Sequence, residues 1–311
     1  MVSYVLKRVG QGLLTVFLTI STVFLLVRLA PGDPARAFAG PLASTEQLEE
    51  VRQRFGLDEP LLTQYVTFLG QLLHGNLGES YSFAAPALSV VADRMPYTLT
   101  LAVAAILLAA VVSVPLGVWM ARRRDRAGEL GANIATIAGQ SMPDFWIGVL
   151  LLTVFAVAIP VLPASGFATW SGLLLPAVTV AILQVALLSR LVRREMVNNL
   201  AAPWFTVARS RGLSERVLVW RYAMGNSAVP VFTAMGTRFA AMLNGVVVVE
   251  VVFSWPGVGS LVVRALETRD YPLIQATVLV TAALAVAVQL LVDLLYPLLD
   301  PRVRLGKAAS A

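Results

Sequence analysis

Residues 98–120 read TLTLAVAAILLAAVVSVPLGVWM, with no charged side chain from Thr98 to Met120. A helix rises about 1.5 Å per residue, so about 20 such residues cross a hydrocarbon core of about 30 Å. This run is long and apolar enough to be a transmembrane helix. Five further stretches pass the same test: roughly 9–29, 134–159, 174–192, 227–252 and 274–298. The chain is 58% hydrophobic and 14% charged. Soluble domains average about 45–50% apolar and about 25% charged residues, so too few charges remain here to cover a water-facing surface. The sequence predicts an all-α integral membrane protein with six spans. Lys7 and Arg8 precede the first stretch as they would in an export signal. That stretch is longer than the apolar run of about 7–15 residues such signals use, and it is expected to stay as a span.

Several chemistries drop out at once. There is no cysteine, and His74 is the single histidine, so a thiolate or His-based metal centre has no ligands. Lys7 and Lys307 are the only lysines, and no G-x-x-x-x-G-K-[ST] occurs. The chain therefore has no phosphate-cradling loop of its own, and if nucleotide powers it, a partner must bind that nucleotide. Its net charge of +6 comes from arginines set between apolar runs, not gathered on one face as nucleic acid requires.

Lys and Arg in the loops set the orientation. One set of loops holds Lys7, Arg8, Arg122, Arg123, Arg124, Arg126, the seven arginines from Arg190 to Arg221, Arg302, Arg304 and Lys307, sixteen in all. The opposite set holds seven: Arg28, Arg36, Arg52, Arg54, Arg94, Arg264 and Arg269. Both termini are thus expected in the cytoplasm, which also suits an even number of spans. The connection after the first span is then a long external loop. Ser44 with Gln47 reads as a capping box, and Gly56 suits the end of that helix. Pro60 at a first-turn position opens a second helix that stops near Gly75. Leu48, Val51 and Phe55, then Leu62, Tyr65, Leu69 and Leu72, give each helix an apolar stripe. Such helices serve either as a cap packed on the spans or as a docking surface for an external partner.

The long cytoplasmic loop spans 193–226. Pro203 suits a helix N1 position and Gly212 suits C′, so residues 203–211 read as a short helix. Trp204, Phe205 and Ala208 lie on it beside Arg209 and Arg211. Ser214 caps a second helix through Met224. A short helix with exposed aromatics suits the membrane interface, and it equally suits a groove on a soluble partner.

Arg238 sits in the middle of the fifth span, where a charge costs about 2.5–3.5 kcal/mol on insertion scales. Ala234, Arg238, Ala241 and Gly245 recur at intervals of four, three and four, and so share a face. Either Arg238 pairs with Asp144 or another buried acid, or it lines a translocation pathway. Glu250 reads as an anchor for the Ser254-Trp255-Pro256-Gly257 turn, and Asp293 as orienting the end of the sixth span. Pro115 and Pro143 interrupt the hydrogen bonding of their helices.

The motifs in order carry a resemblance. They are Tyr4-Val5-Leu6-Lys7-Arg8, Pro31-Gly32-Asp33-Pro34, Phe55-Gly56-Leu57-Asp58, Gly75-Asn76-Leu77-Gly78-Glu79-Ser80, Ser141-Met142-Pro143-Asp144-Phe145-Trp146 and Leu162-Pro163-Ala164-Ser165-Gly166. Phe205-Thr206-Val207-Ala208-Arg209-Ser210-Arg211-Gly212-Leu213 follows, then Glu250 through Gly259, Arg269-Asp270-Tyr271-Pro272 and Leu299-Asp300-Pro301-Arg302. Together they resemble the permease subunits of bacterial dipeptide/oligopeptide-type ABC importers, over nearly the whole chain. Pro203 stands where that family usually has an acid, and Asn76 where it usually has Asp.

The resemblance implies a type I ABC importer permease fold. It places the first span in residues 1–30, the external region in 31–96, the transmembrane core in 97–300 with coupling loop 193–226, and a cytoplasmic tail in 301–311. It implies an inner-membrane protein that pairs with a second, homologous permease subunit, two ATPase subunits and an external solute-binding protein. The ATPase subunits use ATP and Mg; this chain binds no cofactor and has no catalytic residue. Trp204, Phe205, Ala208, Arg209, Arg211 and Gly212 are the expected coupling residues, and Arg238, Ala241 and Gly245 the candidate pathway residues. The implied cargo is a di- or oligopeptide or a related small solute. A proton- or ion-coupled secondary transporter is the competing class on composition alone, although no internal repeat marks it. Intramembrane proteolysis fails on its residues: His74 lies outside every predicted span, and Asp144 and Asp293 lack the surroundings of an aspartyl site.

Overall fold

The computed structural model describes residues 2–29, 35–36, 43–55, 58–166 and 170–299. Pro31-Gly32-Asp33-Pro34, Gly56-Leu57, Asp300-Pro301-Arg302 and the expected tail 301–311 lie outside the described residues. The chain divides into two compact units, the first drawn from Met1–Leu99 and Pro256–Val286, the second from Thr100–Trp255 and Ala287–Ala311.

In the first unit, α1 (Val2–Leu29) packs on α3 (Leu61–Leu73) through aromatic rings. Phe24 is buried, stacked on Phe68 at 5.4 Å and tilted against Tyr65 at 5.2 Å, while the Tyr65 hydroxyl meets Ser21 Oγ at 2.5 Å. Between these helices in chain order comes α2 (Thr45–Phe55), opened by the expected capping box. The Ser44 N–H donates to Gln47 Oε1 at 2.9 Å, and the Gln47 N–H donates to Ser44 Oγ at 3.3 Å. Leu48 and Val51 are buried against Ala35.

Pro60 is the residue that caps α3, one position before the first helical turn where the sequence placed it. The far end of α3 closes as a Schellman motif. Gly75 takes φ +73°, its N–H donates to Leu72 O, and the Asn76 N–H reaches Gln71 O at 3.0 Å. Of the expected apolar stripe, Tyr65, Leu69 and Leu72 are half-buried and Leu62 is exposed, while Gln64 is buried beside them, with Nε2 donating to Glu59 O. Phe24 packs against this face through Tyr65 and Phe68.

A two-stranded ribbon, β1 (Glu79–Ser80) with β2 (Ala85–Pro86), interrupts the all-helical pattern and leads into α4 (Ala87–Arg122). Its backbone bonds form because Gly78 adopts φ +82° and Ala84 φ +47° on either side of the turn. Pro115 lies inside α4 without ending it. Beyond the turn after Trp255, α12 (Val258–Glu267) buries Val258, Leu261 and Ala265, spaced as one helical face. These join Ala87, Val91, Tyr271 and Leu273, the last two at the start of α13 (Tyr271–Leu299), in one apolar cluster.

The second unit holds the rest of α4, α5 (Ala127–Ser141), α6 (Asp144–Leu152) continued by a π turn Thr153–Ala158, and α7 (Trp170–Leu200). The stretch expected as one span over 134–159 is two helices bent by 100°. Pro143 has no N–H to donate and forces Met142 into an extended backbone, φ −87° and ψ 134°. Helices α4 and α7 meet at Gly117, where a Cβ would lie 2.6 Å from the Ser189 carbonyl oxygen.

Among the described residues four helices are long and apolar enough to cross a membrane: Val5–Leu29, Ala87–Arg122, Trp170–Leu200 and Tyr271–Leu295. The bent pair makes a fifth if it counts as one. The stretch expected over 227–252 does not reach that standard. It divides into α10 (Met224–Gly245) and α11 (Val247–Val252) at Val246, and Asn226, Thr233, Thr237, Arg238 and Asn244 dilute the apolar character of α10. Leu13, Leu14, Phe17, Leu18, Leu25 and Leu26 of α1 are exposed, as lipid-facing side chains are.

Candidate functional site

Between α7 and α10 the chain forms α8 (Pro203–Ser210) and one short turn, α9 (Glu215–Val217), followed by a π segment Leu218–Ala223. Pro203 occupies the first turn of α8, where its missing N–H costs nothing. The end comes at Arg211, and Gly212 follows at φ +80°, a left-handed conformation that favours glycine. Ser214 has the extended backbone of an N-cap, but its side chain makes no capping bond. The helix it precedes does not stop at Met224: it runs on through the π segment into α10.

Phe205 was expected on an exposed face, and it is buried. Its ring enters a cluster with Val118 and Ala121 of α4, Val192 and Met196 of α7, and Leu218, Val219 and Ala223. Ala208 is half-buried against the same cluster. Trp204 stands edge-on to Phe205 at 5.7 Å, and Arg209 lies over the Phe205 ring at 5.1 Å. Arg209 Nε is also 2.6 Å from Glu215 Oε1, so one guanidinium clips the turn after α8 to its anchor ring. Trp204, Val207, Arg211 and Leu213 remain exposed. The result is a short helix nailed down by Phe205, with exposed apolar side chains and Arg209 and Arg211 at its C-terminal end.

Two polar contacts that sequence reasoning missed hold the base of this loop. Asn199 Nδ2 donates to Ser227 Oγ at 2.9 Å, joining α7 to α10. Arg193 Nη2 is 2.6 Å from Glu129 Oε1, and Glu129 is buried. The Asp125 N–H also donates to Glu129 Oε2 at 3.1 Å, with Asp125 at φ +63°. Only the charges of Glu129 and Arg193 were visible in the sequence; nothing there paired them.

On α10, Arg238, Ala241 and Gly245 are exposed, and a Cβ on Gly245 would meet nothing within 4 Å. Arg238 forms no ion pair with Asp144 or any other described residue, so the expected pairing is not made. The opposite face of α10 is tightly packed: a Cβ on Gly236 would lie 2.3 Å from Val292 Cγ2. Glu250 is fully buried, and its backbone carbonyl receives the Trp255 N–H at 2.7 Å, in the turn where Ser254 takes φ +50°. Asp293 accepts from Gln289 Nε2 at 3.3 Å within α13.

In the first unit Asp270 is buried and gathers two of the quoted motifs. Its Oδ2 accepts the Ser82 N–H at 2.9 Å as well as the Ser80 hydroxyl, and its Oδ1 accepts the Leu273 N–H at 3.2 Å. Burial, then the Asp270 charge, push the nearby Tyr81 hydroxyl up to about 12. Among the described residues no three His, Asp or Glu side chains are grouped to hold a metal ion.

Residues 113–305 match the family described as binding-protein-dependent transport system inner membrane component, and residues 1–102 match that family's N-terminal counterpart. The chain belongs to this family. The dipeptide transport system permease protein DppB of Lactococcus lactis is 35% identical over 306 residues, covering 98% of this chain and all of that protein. The glutathione transport system permease protein GsiC of Escherichia coli is 36% identical over 304 residues, 98% of this chain and 99% of its own. A solved amino acid ABC transporter chain aligns with 69% of this chain and 94% of its own at 18% identity and a TM-score of 0.49. This inner membrane component is a multi-pass permease subunit of an ABC importer, and both α8 and α10 fall in its matched core.

Proposed function

We propose that this permease forms half of an ATP-driven pathway for short peptides, with α8 as the element that receives force from an ATPase subunit. The cargo follows from relatives named for dipeptide and glutathione transport. The observation that carries the coupling role is the division of labour on α8. Phe205 and Ala208 fix the helix to α4 and α7, while Trp204, Val207 and Arg211 face outward ahead of the left-handed turn at Gly212. A helix so anchored transmits a push to the spans instead of dissipating it, as rigid-element switching requires.

The remaining assignments belong to the same reading. Six crossings are completed by counting the bent pair as one and α10–α11 as another, with both termini cytoplasmic. Residues 1–30 give the first span, 31–96 the external region and 97–300 the core. The unpartnered face of Arg238, Ala241 and Gly245 then looks onto the pathway shared with a second permease. Two ATPase subunits supply ATP and Mg chemistry below, and a solute-binding protein delivers cargo above.

The absence of native cysteine makes a direct test simple. Val207→Cys, as the sole thiol, is expected to cross-link to the co-purifying ATPase subunit and to resist impermeant maleimide added outside cells. Leu62→Cys is expected to label from outside. Labelling of V207C from outside, or its failure to cross-link in the assembled complex, would overturn the assignment.

A further inference from the structure

A polar groove of about 310 Å³ in the first unit, bounded by the end of α1, α3, the β1–β2 ribbon and the start of α13, has no part in coupling. Arg28, in the last turn of α1, is half-buried on its wall. The guanidinium lies over the Phe24 ring at 5.3 Å, and its Nε is buried with no hydrogen-bond partner among the described residues. Glu59 and Glu79 line the same groove and are exposed, and neither forms an ion pair with Arg28. Gln71 and Gln275 add neutral amides that both donate and accept.

A half-buried guanidinium with no ion-pair partner among the described residues is costly, and an anionic oxygen is its natural complement. A simple anion is a poor fit, because Glu59 and Glu79 would repel it. A simple cation is equally poor beside Arg28. Opposite charges held apart in one cavity fit a ligand that carries both signs itself. We propose that this groove binds a zwitterion, with its carboxylate or phosphate on Arg28 and its ammonium toward Glu59 and Glu79. The volume lies at the lower end of ligand pockets, which begin near about 300 Å³, so the ligand is small or is a headgroup. Two sources supply this chemistry: a free short peptide, and the phosphatidylethanolamine headgroup at the membrane surface where α1 ends. Only the peptide source rests on the permease reading above.

The test uses the full chain. Equilibrium dialysis in detergent measures L-alanyl-L-alanine, with its N-acetylated form as the anion-only control. Native mass spectrometry from nanodiscs counts retained phosphatidylethanolamine against phosphatidylglycerol. Retention of either zwitterion over its anionic control is expected, weakened at least tenfold by Arg28→Gln and partly restored by Arg28→Lys. Glu79→Gln, at an exposed position, should also weaken the zwitterion and narrow its advantage, which covers the case in which Arg28→Gln does not fold. Dialanine retention identifies the free-peptide source, and phosphatidylethanolamine retention the lipid source. The proposal is overturned if neither zwitterion is retained, if the anionic controls bind as well, or if folded Arg28→Gln and Glu79→Gln bind like the parent. Uptake measured separately in the assembled complex reports on the coupling assignment, so the two failures are distinct.

Discussion

The Ser80 hydroxyl donates to Asp270 Oδ2 at 2.5 Å across 190 positions of sequence, inside the first unit and out of contact with water. The same carboxylate holds the Ser82 N–H and caps α13 at Leu273 N–H. Asp270 thus joins the ribbon to the last helix, and both motifs are explained by one carboxylate. Gly78 completes the fit: a Cβ there would come 3.2 Å from Pro272 Cβ, in a backbone already at φ +82°.

Asp270→Ala should therefore cost more than any single lost contact. Hydrogen bonds to a charged group contribute about 1.5–3 kcal/mol each, and the substitution strands a buried hydroxyl and two N–H groups. A loss of about 3 kcal/mol or more in detergent unfolding is expected, against about 1–2 kcal/mol for Ser80→Ala. Equal losses for the two would remove Asp270 from the centre of the arrangement.

Tyr81 gives this region a defined response to alkali. Its folded value of about 12 lies above the ordinary tyrosine value of about 10. The unfolded chain releases this proton first, so the Tyr81 contribution is intact below pH 10 and is lost as pH rises from 10 to 12. Tyr81→Phe has no such proton, and its thermal midpoint should fall less steeply over that interval. Parallel profiles for parent and Tyr81→Phe would contradict the assignment.

Local features were readable before the fold. The Ser44–Gln47 capping box and the left-handed turns at Gly75 and Gly212 depend on residues within a few positions of one another. Pro143 announced a break, because a missing N–H acts at its own position, but the 100° bend depends on what the two halves pack against. Phe205 could not be oriented from sequence, since its partners Val118, Met196 and Ala223 come from three distant segments. Asp270 and Ser80 were each quoted within a motif, yet periodicity contains nothing that pairs them. Arg238 shows the limit from the other side: spacing put it on a face with Ala241 and Gly245, and packing left that face open.

Close helix approach at Gly117 makes a second stability prediction. A methyl group there would sit 2.6 Å from both the Ser189 carbonyl oxygen and Val192 Cβ, and backbone cannot yield as a side-chain tip can. Gly117→Ala should destabilise by about 1–3 kcal/mol, the usual range for overpacking. Gly131→Ala, where nothing lies within 4 Å, should be neutral or slightly stabilising through helix propensity. Detergent unfolding of the pair separates packing from propensity, and equal behaviour would mean that α4 and α7 part easily.

The coupling helix makes the sharpest functional prediction, because two adjacent aromatics should fail in different ways. Phe205→Ala removes a fully buried ring from the cluster and should cost about 3–5 kcal/mol, seen as reduced folded yield. Trp204→Ala removes a side chain that is more than a third exposed, so the permease should fold and insert normally. Transport should nevertheless fall, with ATP hydrolysis in the assembled complex no longer stimulated by loaded binding protein. Gly212→Pro tests the turn that follows α8, since proline is fixed near φ −65° and cannot adopt the observed +80°. It should insert with normal yield and lose coupling as Trp204→Ala does, whereas Gly212→Asn, which tolerates the left-handed region, should retain most uptake. Normal coupled hydrolysis in Trp204→Ala and Gly212→Pro would show that α8 does not receive the ATPase, and would leave Phe205 as a packing residue alone.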